Sequence, residues 1–457
     1  MKLDLKTFFF TFLGAIFLLG FAFYNGYPIV YSDTSTYIAS GFSLQPPIDR
    51  PITYGLFILV FSLNGLSLWT VAFMQSLIIS FLILLIIKDF TQLNKPYKYF
   101  LFVIFFLSTL TVIPFVSGQI ITDIFPSVGI ICILHLALNE KLNRFNRTLL
   151  FSIFFISNAM HMSHLMINFL ILVSIIPIKK LFFKNTLELN KKNIWITLVL
   201  TILGIFMMGS SLAKSKHVFF MGRMAENGIL SQFLNENCHD NEYKLCDCID
   251  SIPTNTTDFL WDEKSPIYTR YGKWSEAQEE FSNIIKLTFL SPKYLIRHIF
   301  GSIKNTLKQL LSFDAGDGNG PFIGESVLFA RVEKYFKNES IEYSLSKQSQ
   351  GLLERDKLES LNTRYRLTII MCSLMLLLFY FNDKIMAKIS ANTKFIAILL
   401  LNGIFINAFV NASLVIVADR FGAKLIWFIP LILLLVVSEI DFNKTFGQDK
   451  LTKHDNA

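Results

Sequence analysis

Long uncharged apolar runs recur along this chain and set the terms for any fold. The stretch LSLWTVAFMQSLIISFLILLIIKDF carries no charged side chain from Leu66 to Ile87. A helix of about 20 apolar residues suffices to cross roughly 30 Å of hydrocarbon. With 53% hydrophobic residues, 17% charged and 47 Phe among 457 residues, a water-soluble fold could not bury such surface. The expected class is therefore an all-α polytopic membrane protein. Apolar runs at 7–25, 67–87, 99–115, 121–139, 148–160, 162–178, 193–212, 366–382, 395–412 and 425–439 give about ten transmembrane helices. No small-residue cleavage pattern follows the first run, so it is read as a retained span.

The formal net charge of +8 would suit nucleic acid, but its distribution reports topology instead. Alternate connections hold Lys2 and Lys6; Lys88, Lys95 and Lys98; Lys141, Arg144 and Arg147; Lys179, Lys180, Lys184, Lys191 and Lys192. The same side then holds Lys384, Lys388 and Lys394, and the tail with Lys444, Lys450 and Lys453. The short opposite loops hold little beyond Arg50, Arg420 and Lys424. Basic loops mark the cytoplasmic side, which places both termini there and excludes a nucleic-acid partner as the reason for the charge. The Lys-, Asn-, Ile- and Phe-rich composition and compact cytoplasmic loops point to a bacterial inner membrane.

The chain divides into an N-terminal transmembrane block (1–212), an external, mainly helical cap segment (213–365), C-terminal transmembrane helices (366–440) and a cytoplasmic tail (441–457). Residues 52–66 are apolar but too short to cross, and a crossing there would invert every later loop, so they read as an interfacial or re-entrant helix. Asp33 to Ser40 reads as a second interfacial helix, with Ser32 or Asp33 at its N-cap. In the cap, residues 275–313 have apolar residues at helical spacing and predict two amphipathic helices, the second opened by Pro292. Of five cysteines, Cys132 and Cys372 fall in apolar runs. Cys238 pairs with Cys246 or Cys248 if the cap faces an oxidising compartment; a zinc site completed by His239 is the competing reading.

The candidate chemistry lies in the first external loop, YPIVYSDTSTYIASGFSLQPPIDRPITYG, which carries Asp33, Asp49 and Arg50 where a short turn would suffice. A second carboxylate, Asp123 in GQIITDIFP, opens the fourth run on the same face. Ionised carboxylates beside hydrocarbon require polar company, so two of them on one face suggest a general base and a metal- or phosphate-organising group. His161 and His164 in NAMHMSHLMIN share one helical face and suit a metal or a phosphate, or else satisfy backbone carbonyls at a hairpin. FDAGDGNGPF, with Asp314, Asp317 and Asn319, lacks the ligand spacing of a calcium loop and reads as a glycine-rich turn, with a mobile cover over a substrate channel as the other reading. Asn255 and Asn338 begin glycosylation triplets that matter only in a eukaryotic lumen. The lack of a phosphate-cradling Gly-Lys-Ser/Thr loop argues against an ATP-driven pump.

Taken in order, YSDTSTY, DRPITYGLF, NGLSLWTVAFMQSLIISFLILLIIKDF and TVIPFVSGQIITDIFPSVGIICILHLAL resemble the GT-C superfamily of membrane glycosyltransferases, which use polyprenyl-phosphate-linked sugars. ADRFGAKLIWFIPLILLL is similar to that family's Arg-aromatic segment before a final span. The resemblance covers residues 5–180 and, more weakly, 395–440. It implies transfer of a sugar from a lipid-linked donor to a glycan, lipid or protein acceptor. Asp33 would be the catalytic base and Asp123 the group organising the donor phosphate or a divalent metal. Arg50, Tyr54, Arg420, His161 and His164 would contact the phosphate or substrate. Thr34 stands where the family commonly has a second carboxylate, so a metal at Asp33 and Asp123 is an open expectation. A transporter or flippase of lipid-linked saccharide is the alternative, and would call for charges deep within spans and inverted repeats. A structural envelope subunit is the third reading.

Overall fold

The computed structural model describes residues 5–139, 142–184, 186–238 and 243–440, with backbone only for 207–214. Lys2, Lys141, His239 and the tail with Lys444, Lys450 and Lys453 lie outside the described residues. Among the described residues the regular structure is helical, and one β-bridge joins Ile29 to Gln119.

The first block runs α1 (Leu5–Leu18), α2 (Gly20–Asn25), α3 (Ser32–Ser43), α4 (Thr53–Phe61), α5 (Leu68–Phe90), α6 (Pro96–Leu110), α7 (Ile113–Gly118), α8 (Phe125–Leu138), α9 (Arg144–Ala159), α10 (Met162–Phe182) and α11 (Lys191–Glu226). Next come α12 (Ile229–Asn237), α13 (Thr256–Trp261), α14 (Gln278–Leu290), α15 (Pro292–Leu310), α16 (Val327–Tyr335) and α17 (Ser340–Leu345). The last block holds α18 (Glu359–Tyr380), α19 (Asp383–Met386), α20 (Ala391–Leu414), α21 (Asp419–Ala423) and α22 (Phe428–Ser438). Among the described residues, five stretches are long and apolar enough to cross a membrane: Leu68–Phe90, Met162–Phe182, Arg355–Tyr380, Ala391–Leu414 and Asp419–Ser438. Leu5–Leu18, Pro96–Leu110 and Thr122–Leu138 are shorter apolar helices.

Local chemistry explains the boundaries. Side-chain N-caps from Ser67, Asn143, His161, Asn190 and Ser390 open α5, α9, α10, α11 and α20 by accepting from backbone N–H groups that helix geometry leaves orphaned. The 52–66 run is turned back after α4, where Leu63, Asn64 and Gly65 all take left-handed backbone angles. At 1.5 Å per residue α4 spans only about 14 Å, far short of a crossing. Pro292 opens α15 at its first turn. The helix at the first loop begins at Ser32 with Tyr31 as N-cap, which corrects the Ser32 or Asp33 expectation. The reason is Thr34: its Oγ1 accepts from the Tyr31 N–H at 2.9 Å and donates to Ile120 O at 2.7 Å, leaving Asp33 out of the cap.

The division at 212 does not follow a break in the chain, because α11 continues unbroken to Glu226. Nor is 213–365 one unit. Val218, Met221, Phe233, Phe259, Phe281, Ile284 and Tyr294 form a separate apolar core, here called the lobe. Phe313, Leu328, Val332, Phe336, Tyr343 and Leu353 belong to the main core and lie over the first loop, here called the roof. The lobe's disulfide joins Cys238 to Cys246 and leaves Cys248 free. Two of the thiolates the zinc reading required are thereby consumed.

Candidate functional site

Two loops far apart in sequence are laced together at one end of the helical bundle. The Ile29 N–H donates to Gly118 O at 3.0 Å and the Ile120 N–H to Ile29 O at 2.7 Å. Gln75, fully buried on α5, donates through Nε2 to Ser117 O at 3.1 Å and Gln119 O at 2.9 Å. This lacing sets Asp33, in the first turn of α3, on the same side as Asp123, which sits in a tight turn just before α8. The chain then returns through α20, and the short α21 presents Arg420, with Lys424 capping its end one helical turn on.

The charges interlock. Arg50 Nη1 lies 2.9 Å from Asp33 Oδ1, and Arg50 Nη2 donates to Asp49 Oδ2 at 2.6 Å. Arg420 reaches both aspartates, with Nη2 3.5 Å from Asp33 Oδ2 and Nε 3.7 Å from Asp123 Oδ2. Lys424 Nζ stands 3.0 Å from Asp123 Oδ1, both side chains being almost wholly buried. Tyrosine rings carry the guanidinium faces: Arg420 lies 4.4 Å from the Tyr31 centroid and Arg50 5.2 Å from that of Tyr37. Asp33 keeps a quarter of its side chain exposed, so the cluster opens to solvent there.

Two atoms in this cluster are buried yet make no hydrogen bond, Arg420 Nε and Asp123 Oδ2, which face each other across 3.7 Å. Buried polar groups are normally satisfied, and each orphan represents roughly 1–3 kcal/mol of unmet desolvation. One such donor and one such acceptor suit a ligand that brings both an anion and hydroxyl groups. Burial alone would push the Asp33 carboxyl up, but the positive charges of Arg50 and Arg420 outweigh it and hold it below the usual range. Asp33 is therefore ionised and an acceptor only at neutral pH.

The roof closes over this centre. Asp314, nearly buried, accepts from Arg355 Nη2 at 2.8 Å and Arg366 Nε at 2.9 Å, and Arg355 Nε also lies 3.1 Å from Asp419 Oδ2. The turn that follows needs left-handed glycines at 316 and 318. A Cβ on Gly318 would stand 2.4 Å from Tyr31 Oη, so the backbone rests directly on the ring that carries Arg420. Asp317 Oδ2 faces the Arg420 N–H at 3.4 Å, and Asn319 Oδ1 accepts from Gln119 Nε2 at 3.1 Å. Glycine-rich and close-packed, this segment is a turn, as its sequence predicts, and it packs on Tyr31.

The structure brings together Asp33, Asp123, Arg50 and Arg420 from the sequence-predicted set. Tyr54 departs from expectation: its hydroxyl is buried and donates to Gln75 Oε1 at 2.6 Å, which commits it to the lacing rather than to a phosphate. Its ring, 4.8 Å from that of Tyr37, supports the Arg50 platform. His161 is the N-cap of α10, with Nδ1 2.9 Å from Ser163 Oγ, and feels the charges of Lys424, Arg50 and Arg420. Burial first, then those cations, push its imidazole down to about 3, so it is neutral. His164 Nδ1 meets Ser157 O at 3.1 Å, the backbone-satisfying role open from the sequence, while Nε2 is buried and unpartnered. Sequence reasoning missed Lys424, counted only as a loop charge, together with Tyr31, Tyr37 and Gln75. The spacing of Lys424 four residues after Arg420, on one helical face, was the available signal.

Among the described residues no group of three or more His, Cys, Asp or Glu gathers as metal ligands. Asp33 and Asp123 already face three cations, Arg50, Arg420 and Lys424, so a divalent ion would have to displace them. The donor set fits an anion better than a dication. No family model, no curated protein and no solved structure matches the chain.

Proposed function

We propose that the protein is a membrane glycosyltransferase of the GT-C type, moving a sugar from a polyprenyl-phosphate donor to a hydroxyl-bearing acceptor. The observation that carries the reading is the interlocked cluster of Asp33, Asp123, Arg50, Arg420 and Lys424 at one end of the bundle. In this reading the bundle crosses about ten times, both termini are cytoplasmic, and the cluster lies on the periplasmic face of a bacterial inner membrane.

The donor phosphate binds at the guanidinium groups of Arg420, whose Nε makes no hydrogen bond, and Arg50, with Lys424 adding charge. Its negative charge weakens the hold of both arginines on Asp33, which raises the basicity of that carboxylate when the donor is in place. Asp33 then takes the acceptor hydroxyl proton as the acceptor oxygen bonds to the anomeric carbon. The bond from that carbon to the phosphate oxygen breaks, and the electron pair departs with the phosphate, stabilised by Arg420 and Lys424. Asp123 accepts a sugar hydroxyl through Oδ2, which makes no hydrogen bond of its own. No step is routed through a metal. An apolar groove of about 640 Å³, lined by Leu110, Leu367, Met371, Leu433 and Val437, offers the prenyl tail a berth.

The test is release of free polyprenyl phosphate from lipid-linked sugar by the full chain in vesicles. Wild type should turn over, and Asp33→Asn should lose about 10²–10⁴-fold while still binding donor, the usual scale of a lost general base. Movement of the intact donor across the vesicle without release of polyprenyl phosphate would replace this reading with the transporter or flippase.

A further inference from the structure

The second amphipathic helix of the outer segment is turned inside out. Along α15 the side chains buried against the protein are Tyr294, His298, Asn305, Thr306 and Gln309. Those facing outward are Ile296, Ile299, Phe300, Ile303, Leu307 and Leu311, each more than half exposed. At 100° per residue these six fall on one face of the helix, and Lys293, Arg297, Lys304 and Lys308 form a stripe along its edge. The helix has no acidic residue.

Each inward polar group has work to do. His298 Nε2 meets Thr288 Oγ1 at 3.1 Å, and Asn305 Nδ2 donates to Asn227 Oδ1 at 2.9 Å. Gln309 grips the chain just before Arg420, donating to Ala418 O and accepting from the Ala418 N–H, both at 2.9 Å. These bonds fix which face of α15 points out, so the apolar stripe is a consequence of specific docking.

We propose that this face of α15 is seated in the lipid bilayer and that its basic edge binds anionic phospholipid headgroups. Three observations commit it to lipid. The helix packs along α20, one of the helices apolar enough to cross a membrane. That helix exposes Phe405 and Phe409, so the outward surface of α15 adjoins one already suited to hydrocarbon. An apolar face edged by Arg297, Lys304 and Lys308, with Lys293 at its start paired to Glu236 at 2.5 Å, is complementary to an anionic membrane surface. Through Gln309 the bound lipid would also steady the segment that carries Arg420.

The test places a photoreactive benzoylphenylalanine at Phe300 of the full chain, reconstituted in vesicles of phosphatidylcholine and phosphatidylglycerol. The control position is Trp261, an exposed ring on the lobe. Phe300 is expected to form lipid adducts at least threefold enriched in phosphatidylglycerol, with the enrichment abolished by Lys304→Glu/Lys308→Glu. Trp261 is expected to form few. Adducts to a second copy of the chain, adducts to both lipids in proportion to their abundance, or no lipid adduct at Phe300 would each overturn the proposal. Because no sugar donor is involved, its failure would leave the transferase reading untouched.

Discussion

The lobe and the roof come from one stretch of sequence and have opposite relations to the charged centre. The lobe closes on itself: its apolar core is separate from the main one, and a disulfide between Cys238 and Cys246 spans eight residues within it. The roof has no core of its own. Its apolar side chains complete the main core, Gln348 Nε2 donates to Val30 O at 2.7 Å, and Asp314 ties it to Arg355 and Arg366. Glu339 accepts from Tyr27 Oη at 2.8 Å and from Ser67 Oγ, pinning the start of the first loop. A segment that depends on the first loop for its own burial reports on the geometry of that loop; a segment that folds on itself does not. Damage to the roof should therefore reach the centre, and damage at the disulfide of the lobe, which does not involve the Gln309 contact to Ala418, should stay local.

The sharpest way to break this contrast is Gly318→Ala. The added carbon meets Tyr31 Oη in a left-handed turn, where a side chain itself is unfavourable by roughly 1–2 kcal/mol. Sugar transfer should fall about 10–100-fold, a displacement-scale loss, with the lobe's resistance to protease unchanged. Unaltered transfer would remove the roof from the site.

The complementary test is Cys238→Ser/Cys246→Ser. Opening a loop this short should destabilise the lobe by about 2–3 kcal/mol on the chain-entropy estimate. Proteolysis between 218 and 294 should accelerate while transfer stays within about twofold of wild type. A large loss of transfer would show that the lobe is coupled to the centre after all.

The smallest effect concerns His161, which borders the centre from the α9–α10 hairpin. Its imidazole is held at about 3 when folded, below an ordinary value near 6.5. The folded state thus binds its proton less readily than the unfolded chain. The stability this contributes is present above pH 6.5 and is lost as pH falls toward 3. Thermal unfolding of His161→Asn should lose less stability than wild type across that window. Parallel curves would mean that burial and the nearby cations do not hold His161 neutral.

Much of the fold could be read from the apolar runs alone, since each of the ten coincides with a helix or a closely broken pair of helices. The first-loop helix and the α14–α15 pair also follow from local pattern. The organisation of the outer segment could not, because whether Leu328 or Phe281 joins a private or a shared core depends on which surfaces meet. The same limit applied at the site. Asp33 and Asp123 stood out as charges beside hydrocarbon and Arg50 and Arg420 followed from the resemblance to GT-C enzymes, whereas Tyr54 looked like a ligand residue and is a strut. Lys424 looked like a loop charge and is buried against Asp123.

What the sequence by itself determined is the helical, membrane-suited class and the few charged residues that hydrocarbon neighbours make conspicuous, because hydropathy and burial cost act locally. Only the tertiary structure decided that Arg420 bridges two aspartates 90 positions apart, that a glycine turn rests on Tyr31, and that α15 shows its apolar face outward. Those facts depend on distances between segments remote in the chain, which no local pattern encodes.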